Sequence, residues 1–231
     1  MSGPGAGFEF PTQEVSWVKR DVLLFAYSIG CTVDELHFLY VSKPRSHHSL
    51  RRKKNGPAVA AYAAFPSQEL HPNFQVFPTY PILLPFKLTD QDVVDFYARS
   101  GSTPIPGLPK FDMRRGVDGE RKMTFYKPLP PTSAGKTFEM RTKVLGVYDK
   151  GKPGTVIETE TLIADKQSGD VYTKVVGSAF YVGQGGWGGP KGDKAPNFDP
   201  PKGKQPDATY RFETNAETAH LYRLNGDYNP L

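Results

Sequence analysis

Lys136-Thr-Phe-Glu-Met-Arg-Thr-Lys-Val-Leu-Gly-Val-Tyr148, Gly154-Thr-Val-Ile-Glu-Thr-Glu-Thr-Leu-Ile-Ala164 and Val171-Tyr-Thr-Lys-Val-Val-Gly-Ser-Ala-Phe-Tyr-Val182 are the runs that decide the fold. Each is about a dozen residues long, rich in β-branched and aromatic residues, with a period of two. Asp149-Lys-Gly-Lys-Pro-Gly154 and Asp165-Lys-Gln-Ser-Gly-Asp170 join them. Both connections are short and made of residues that tolerate hairpin geometry. A further strand is expected over Met123–Leu129, ending in Lys127-Pro-Leu-Pro-Pro131. The four strands form an antiparallel meander. Strands of this length twist and curve, and one face needs a cover.

The cover is expected upstream. Val18, Val22, Phe25 and Ile29 fall on one stripe of a 3.6-residue period, which predicts a helix over Gln13–Ile29. Thr32 and Glu35 have capping-box spacing for a short helix reaching about Tyr40. Pro72, Pro78, Pro81 and Pro85 exclude long regular structure around them. Thr89 and Asp92 open a helix expected over Asp90–Ala98. The fold class is α+β, a curved antiparallel sheet around a helix.

The 231 residues suffice for a large core, and no apolar run is long enough to span a membrane. The N-terminus lacks the basic and apolar regions of a secretory signal. Cys31 is the single cysteine, so the chain has no internal disulfide and a reducing compartment is expected. The net charge of +5 belongs to one segment. Residues 41–68 hold six cations and no acid, and the remainder is one charge negative. The organisation read from these patterns is a flexible N-terminus at 1–11, a first domain at 12–189, a linker at 190–207, and the start of a second domain at 208–231. Segment 41–68 interrupts the first domain. His37–Tyr40 joins smoothly to Glu69–Phe74 without it, and its ends resemble splice boundaries. It reads as a retained intron or misplaced exon boundary, to be settled by sequencing the transcript.

Gly183-Gln-Gly-Gly-Trp-Gly188 matches the letters of a dinucleotide fingerprint. The Pro-Lys-Gly that follows cannot open the helix which that fingerprint needs. Arg51-Arg-Lys-Lys54 has no interleaved aromatics to stack bases, so a nucleic-acid partner is not expected. His47-His48 lacks the acidic or thiol partners of a metal site. Asp227 and Asn229 sit in a Gly-Asp-Tyr-Asn-Pro turn after the amphipathic run Ala216–Leu224. Such residues make turns in any protein. An Asp held there can also orient or deprotonate a water, given a partner such as His.

Tyr222-Arg-Leu-Asn-Gly-Asp-Tyr-Asn-Pro-Leu231 resembles the signature of the MaoC-like, R-specific enoyl-CoA hydratases, which include the hydratase part of the peroxisomal multifunctional enzyme. Trp17–Tyr27, Asn73–Tyr80, Lys127–Pro130, Val147–Gly151 and Gly183–Gly189 resemble the family's first-domain landmarks in the same order. The resemblance implies a double hot-dog fold, of which this chain holds the first half, with the second repeat missing. It implies cofactor-free, reversible hydration of a trans-2-enoyl-CoA to a (3R)-3-hydroxyacyl-CoA. Asp227 matches the catalytic Asp and Asn229 the Asn supporting it. Tyr222, Arg223, Gly226, Gly185, Gly186 and Trp187 match positions expected to contact substrate. The implied partner is an acyl-CoA, with no metal, nucleic acid or membrane. A homodimer is compatible with the pattern, and the implied location is the peroxisome, otherwise the cytoplasm. The pattern places a His directly after Leu231, so the chain reads as C-terminally truncated and inactive or nearly so. The alternative reading is a non-catalytic acyl-CoA-binding or interaction module.

Overall fold

The computed structural model describes residues 3–39, 73–91, 103–193, 199–225 and Tyr228. Segment 41–68 and residues 92–98 of the expected helix lie outside them. Strand β1 spans Gln13–Val15 and helix α1 spans Lys19–Ser28. A 3-10 turn at Val33–Glu35 runs into helix α2, Leu36–Leu39. Another at Tyr80–Leu83 runs into helix α3, Leu84–Lys87. Strands β2 (Gly116–Phe125), β3 (Phe138–Asp149), β4 (Gly154–Asp165) and β5 (Val171–Val182) follow. Helix α4 spans Thr218–Leu224. The sheet has the order β1-β3-β4-β5-β2, and every pairing is antiparallel.

The β3–β4–β5 meander follows its sequence pattern. Val147↔Ile157↔Ala179 and Met140↔Ile163↔Thr173 place apolar and small residues in rows across one face. At the β3–β4 turn, Gly151 takes φ 74° and Lys150 donates its N–H to the Gly154 carbonyl. At the β4–β5 turn, Asp165 Oδ1 accepts from the Gln167 and Ser168 N–H groups, and Lys136 Nζ reaches Oδ2 at 2.7 Å.

Two expectations are corrected. The helix expected from Gln13 begins at Lys19, and Gln13–Val15 is instead a strand on the edge of β3. Val15 and Trp17 are both buried, a period of two that the Val18-to-Ile29 stripe masks. Val18 keeps extended geometry as the N-cap, and Ile29, 44% exposed, lies past the last turn. The strand expected over Met123–Leu129 runs from Gly116 to Phe125. It is an edge strand paired only with β5 and not with β3, so the meander expected over four strands holds for β3–β4–β5 alone, and Gly116–Lys122 carries charge without burying an alternating face. Proline at 128, 130 and 131 cannot extend a ladder, and the strand leaves by Tyr126 and Lys127 both donating to the Tyr172 carbonyl.

α1 packs on the inner face through Val22 and Phe25, in one cluster with Trp17, Tyr80, Phe138, Met140 and Ile163. Trp17 is fully buried, its ring centroid 4.6 Å from that of Phe138, and its Nε1 donates to the Pro130 carbonyl at 2.9 Å. Losing a buried side chain of this size costs about 3–5 kcal/mol. The start of α1 is tied down electrostatically. Asp21 accepts from the Val18 N–H at 2.9 Å and pairs with Lys87 Nζ of α3 at 3.2 Å. Leu88, just beyond, takes the left-handed φ of 60° while its carbonyl accepts from the Ser16 N–H. A second cluster of Val144, Val147, Ile157 and Tyr181 covers the other end of the same face, capped by Phe8, Phe10 and Leu108.

Candidate functional site

The described residues enclose a cleft of about 1120 Å³. Its floor is the inner face of β2 and β5, including Asp118, Arg121, Ala179 and Tyr181. One wall is the C-terminal end of α1 with Ile29 and Cys31, and another is Ile82 just before α3 with Phe86 of α3. The last wall is Phe212, Leu221 and Tyr222. Tyr27, Ile29, Phe86, Met113, Val117, Phe212 and Tyr222 all line it and all remain exposed. Such a concentration of exposed large apolar side chains marks a binding surface. Burial and the nearby Glu35 carboxylate push the Cys31 thiol above its ordinary range.

α4 closes the cleft by docking on α1. Ser28 Oγ donates to Asn225 Oδ1 at 2.9 Å, and Asn225 Nδ2 donates to Ser28 Oγ at 2.6 Å. Ser28 has one hydroxyl hydrogen, for which the Phe25 carbonyl at 2.8 Å competes with Asn225 Oδ1, so the Nδ2 donation is the bond that joins the two side chains in either case. This fixes the backbone two residues before Asp227. Gly226, Asp227 and Asn229 lie outside the described residues. Tyr222 lines the cleft, while Arg223 accepts the Tyr228 N–H through its carbonyl.

Gly185, Gly186 and Trp187 belong to a separate construction at the end of β5. Asp149, the last residue of β3, gathers the loop. Its Oδ1 accepts from the Gly151 and Gly186 N–H groups at 2.8 and 2.7 Å, and its Oδ2 from those of Gly188 and Gly189 at 2.8 and 3.3 Å. These N–H groups, Gly186 foremost, hold the carboxyl below its usual range. Gly185 has no room for a Cβ, which would overlap the Gly151 carbonyl oxygen and lie 2.9 Å from Asp149 Oδ1. The close approach that glycine permits here is to backbone. Trp187 Nε1 donates to Thr155 Oγ1 at 2.9 Å, and that hydroxyl donates to the Gln184 carbonyl at 2.7 Å. None of the three residues lines the cleft. They adjoin it through Tyr181, which lines the cleft and belongs to the cluster against which Trp187 packs.

Sequence reasoning missed Ser28, Asn225, Arg121 and the role of Asp149. The first three gain meaning only from packing between distant segments. Asp149 had a visible signal in the glycine run from Gly183, whose many N–H groups need an acceptor.

The five-stranded antiparallel sheet with a helix on its inner face is the hot-dog fold. The family profile described as the MFE-2 hydratase 2 N-terminal domain matches residues 67–183. The chain belongs to the MaoC-like dehydratase family, through this hydratase 2 N-terminal domain. It is 50% identical to Probable dehydratase NIT22 of Ajellomyces capsulatus, over 97% of this chain and 53% of that protein. It is 28% identical to Probable enoyl-CoA hydratase 2 of Dictyostelium discoideum, over 94% of this chain and 60% of that one. The crystal structure of a MaoC-like dehydratase from Phytophthora capsici superposes with a TM-score of 0.66 and 33% identity, covering 96% of this chain and 63% of the other. The chain thus spans little more than half the length of the curated relatives it matches.

Proposed function

We propose that this chain is the acyl-chain-binding half of an R-specific 2-enoyl-CoA hydratase, or of the dehydratase that runs the same reaction in reverse. The observation that carries the reading is the apolar cleft, whose last wall ends at Asn225, two residues before Asp227. An acyl chain on the inner face would leave its thioester end toward Asn225, two residues before Asp227 in the sequence.

In this reading, the oxygen of one water bonds to C3 of a trans-2-enoyl-CoA and a proton is added at C2. The product is a (3R)-3-hydroxyacyl-CoA. Asp227 orients the water, Asn229 supports the carboxylate, and a His completes the proton balance. The step is redox-neutral and the reading calls for no cofactor. In the family pattern that His follows directly on the position Leu231 occupies. Losing one member of such a pair costs roughly 10²–10⁴-fold in rate.

The test is a paired measurement on the 231-residue chain with trans-2-dodecenoyl-CoA. Calorimetry is expected to show binding, and chiral analysis of product to show slow formation of the (3R)-hydroxy compound. Rapid turnover by residues 1–231 would overturn the assignment of the second proton to a His beyond Leu231, and absence of binding would overturn the acyl reading. A non-catalytic acyl-CoA-binding module is the second reading, supported by the same cleft. Residual turnover that disappears in Asp227→Asn favours the hydratase. Binding with no turnover in either protein favours the module.

A further inference from the structure

We propose that the cleft selects an acyl chain bearing a neutral oxygen, a hydroxyl or keto group, and that the Arg121 guanidinium recognises it. The inference rests on the acyl-binding reading above. Arg121 stands on β2 opposite Gly177 of β5. Gly177 leaves the floor bare beneath it, since a Cβ there would lie 3.8 Å from Arg121 Cγ and 4.0 Å from Nη1. The side chain is 24% exposed and its Cζ lies 5.8 Å from the centroid of the Phe86 ring, another lining residue.

A guanidinium carries five N–H donors. Nη2 donates to Asp118 Oδ1 at 2.7 Å. Arg121 has no other hydrogen bond among the described residues, and its Nε is buried without a partner. A fully apolar chain would remove water from the exposed N–H groups of the guanidinium and offer them no acceptor, which is costly. A chain oxygen placed over Arg121 supplies one.

The charges around the cleft decide which oxygen. Asp118 already pairs with Arg121, and Glu213 and Glu217 bring further carboxylates to the lining. Arg121 is the one Lys or Arg among the described residues that line the cleft, and Glu213 already holds Arg211 at 3.5 Å. A ligand carboxylate would face three acids, with Arg121 and Arg211 already engaged by two of them. A hydroxyl or ketone accepts the hydrogen bond and adds no charge.

The experiment uses the 231-residue chain and dodecanoyl thioesters of N-acetylcysteamine, which carry no phosphate. The set contains the plain chain, chains hydroxylated at successive positions of the distal half, and the chain with a terminal carboxylate. Affinities are measured by calorimetry for wild type, Arg121→Met and Arg121→Lys, with circular dichroism to confirm folding. One hydroxyl position is expected to bind about tenfold tighter than the plain chain, the range of a hydrogen bond to a charged donor. Arg121→Met is expected to abolish that preference and to bind the plain chain at least as tightly as wild type. A flat hydroxyl series beside a binding plain chain overturns this inference alone, as does a preference that survives in Arg121→Met or one for the carboxylate. Failure of every thioester to bind overturns the acyl-binding reading as well.

Discussion

Replacing Asp21 with Ala tests how the central helix is anchored. The carboxylate has two duties. It caps the Val18 N–H at the start of α1, and it pairs with Lys87 across to α3. The two side chains are only 11% and 6% exposed, so water screens the pair weakly. Breaking such a pair by removing one partner costs about 3–5 kcal/mol. Lys87 keeps a further interaction, which favours the lower end of that range. The lost cap adds about 1 kcal/mol. The expected total is about 4 kcal/mol. With a urea slope of about 2 kcal/mol/M, the unfolding midpoint falls by about 2 M at unchanged slope. Lys87→Met in the Asp21→Ala background removes the cation left without its carboxylate. The double variant is therefore expected to be less destabilised than the sum of the two single variants by about 2 kcal/mol. A midpoint shift below about 0.5 M for Asp21→Ala, or strict additivity in the cycle, would refute the reasoning.

Three further outcomes are expected. Gly185→Ala forces the loop away from the Gly151 carbonyl and from Asp149, with a loss of about 1–3 kcal/mol by thermal unfolding and a change in Trp187 fluorescence. An unchanged melting curve would contradict the packing described. Ser28→Ala and Asn225→Ala are each expected to cost about 0.5–1.5 kcal/mol and to be non-additive together, as a direct hydrogen-bonded pair should be. The Asp149 carboxyl is held below its ordinary range when folded, so its contribution is fully present above the unfolded-state value near 3.9. That contribution is lost as pH falls through the lower folded value. Asp149→Asn is expected to flatten the acid side of the stability–pH curve, and an unaltered acid limb would show that the clasp adds nothing.

The three long strands were legible because each pairs on both sides and buries one alternating face. Their turns were legible because Gly and Asp carry local geometry. β2 was misplaced because an edge strand can keep charges such as Glu120 and Lys122 in water, erasing the alternation. Gln13–Val15 was absorbed into a helix because the Val22–Phe25 stripe continues backward to Val18, while Val15 and Trp17 gave a weaker signal of opposite period. Hot-dog membership was legible through dispersed motifs. The cleft was not, because its lining comes from segments far apart in sequence, such as Ile29, Phe86, Ala179 and Tyr222. Asp149 read as a turn residue, which it is. Nothing local shows that the same carboxylate also collects N–H groups from Gly186, Gly188 and Gly189.

The central claim is that this cleft holds an acyl chain, and Cys31 gives the most direct access to it. It is the single cysteine, it is buried, and it lines the cleft. The measurement is the rate of Cys31 alkylation with and without saturating dodecanoyl-CoA, in wild type and in Ala179→Trp, which fills the floor. The account predicts that the ligand slows alkylation at least about tenfold in wild type, as an occupied site with bound ligand in large excess should. Ala179→Trp is expected to show no ligand protection. Equal rates with and without ligand in wild type, at a concentration where calorimetry shows saturation, would place the acyl chain elsewhere and contradict the account.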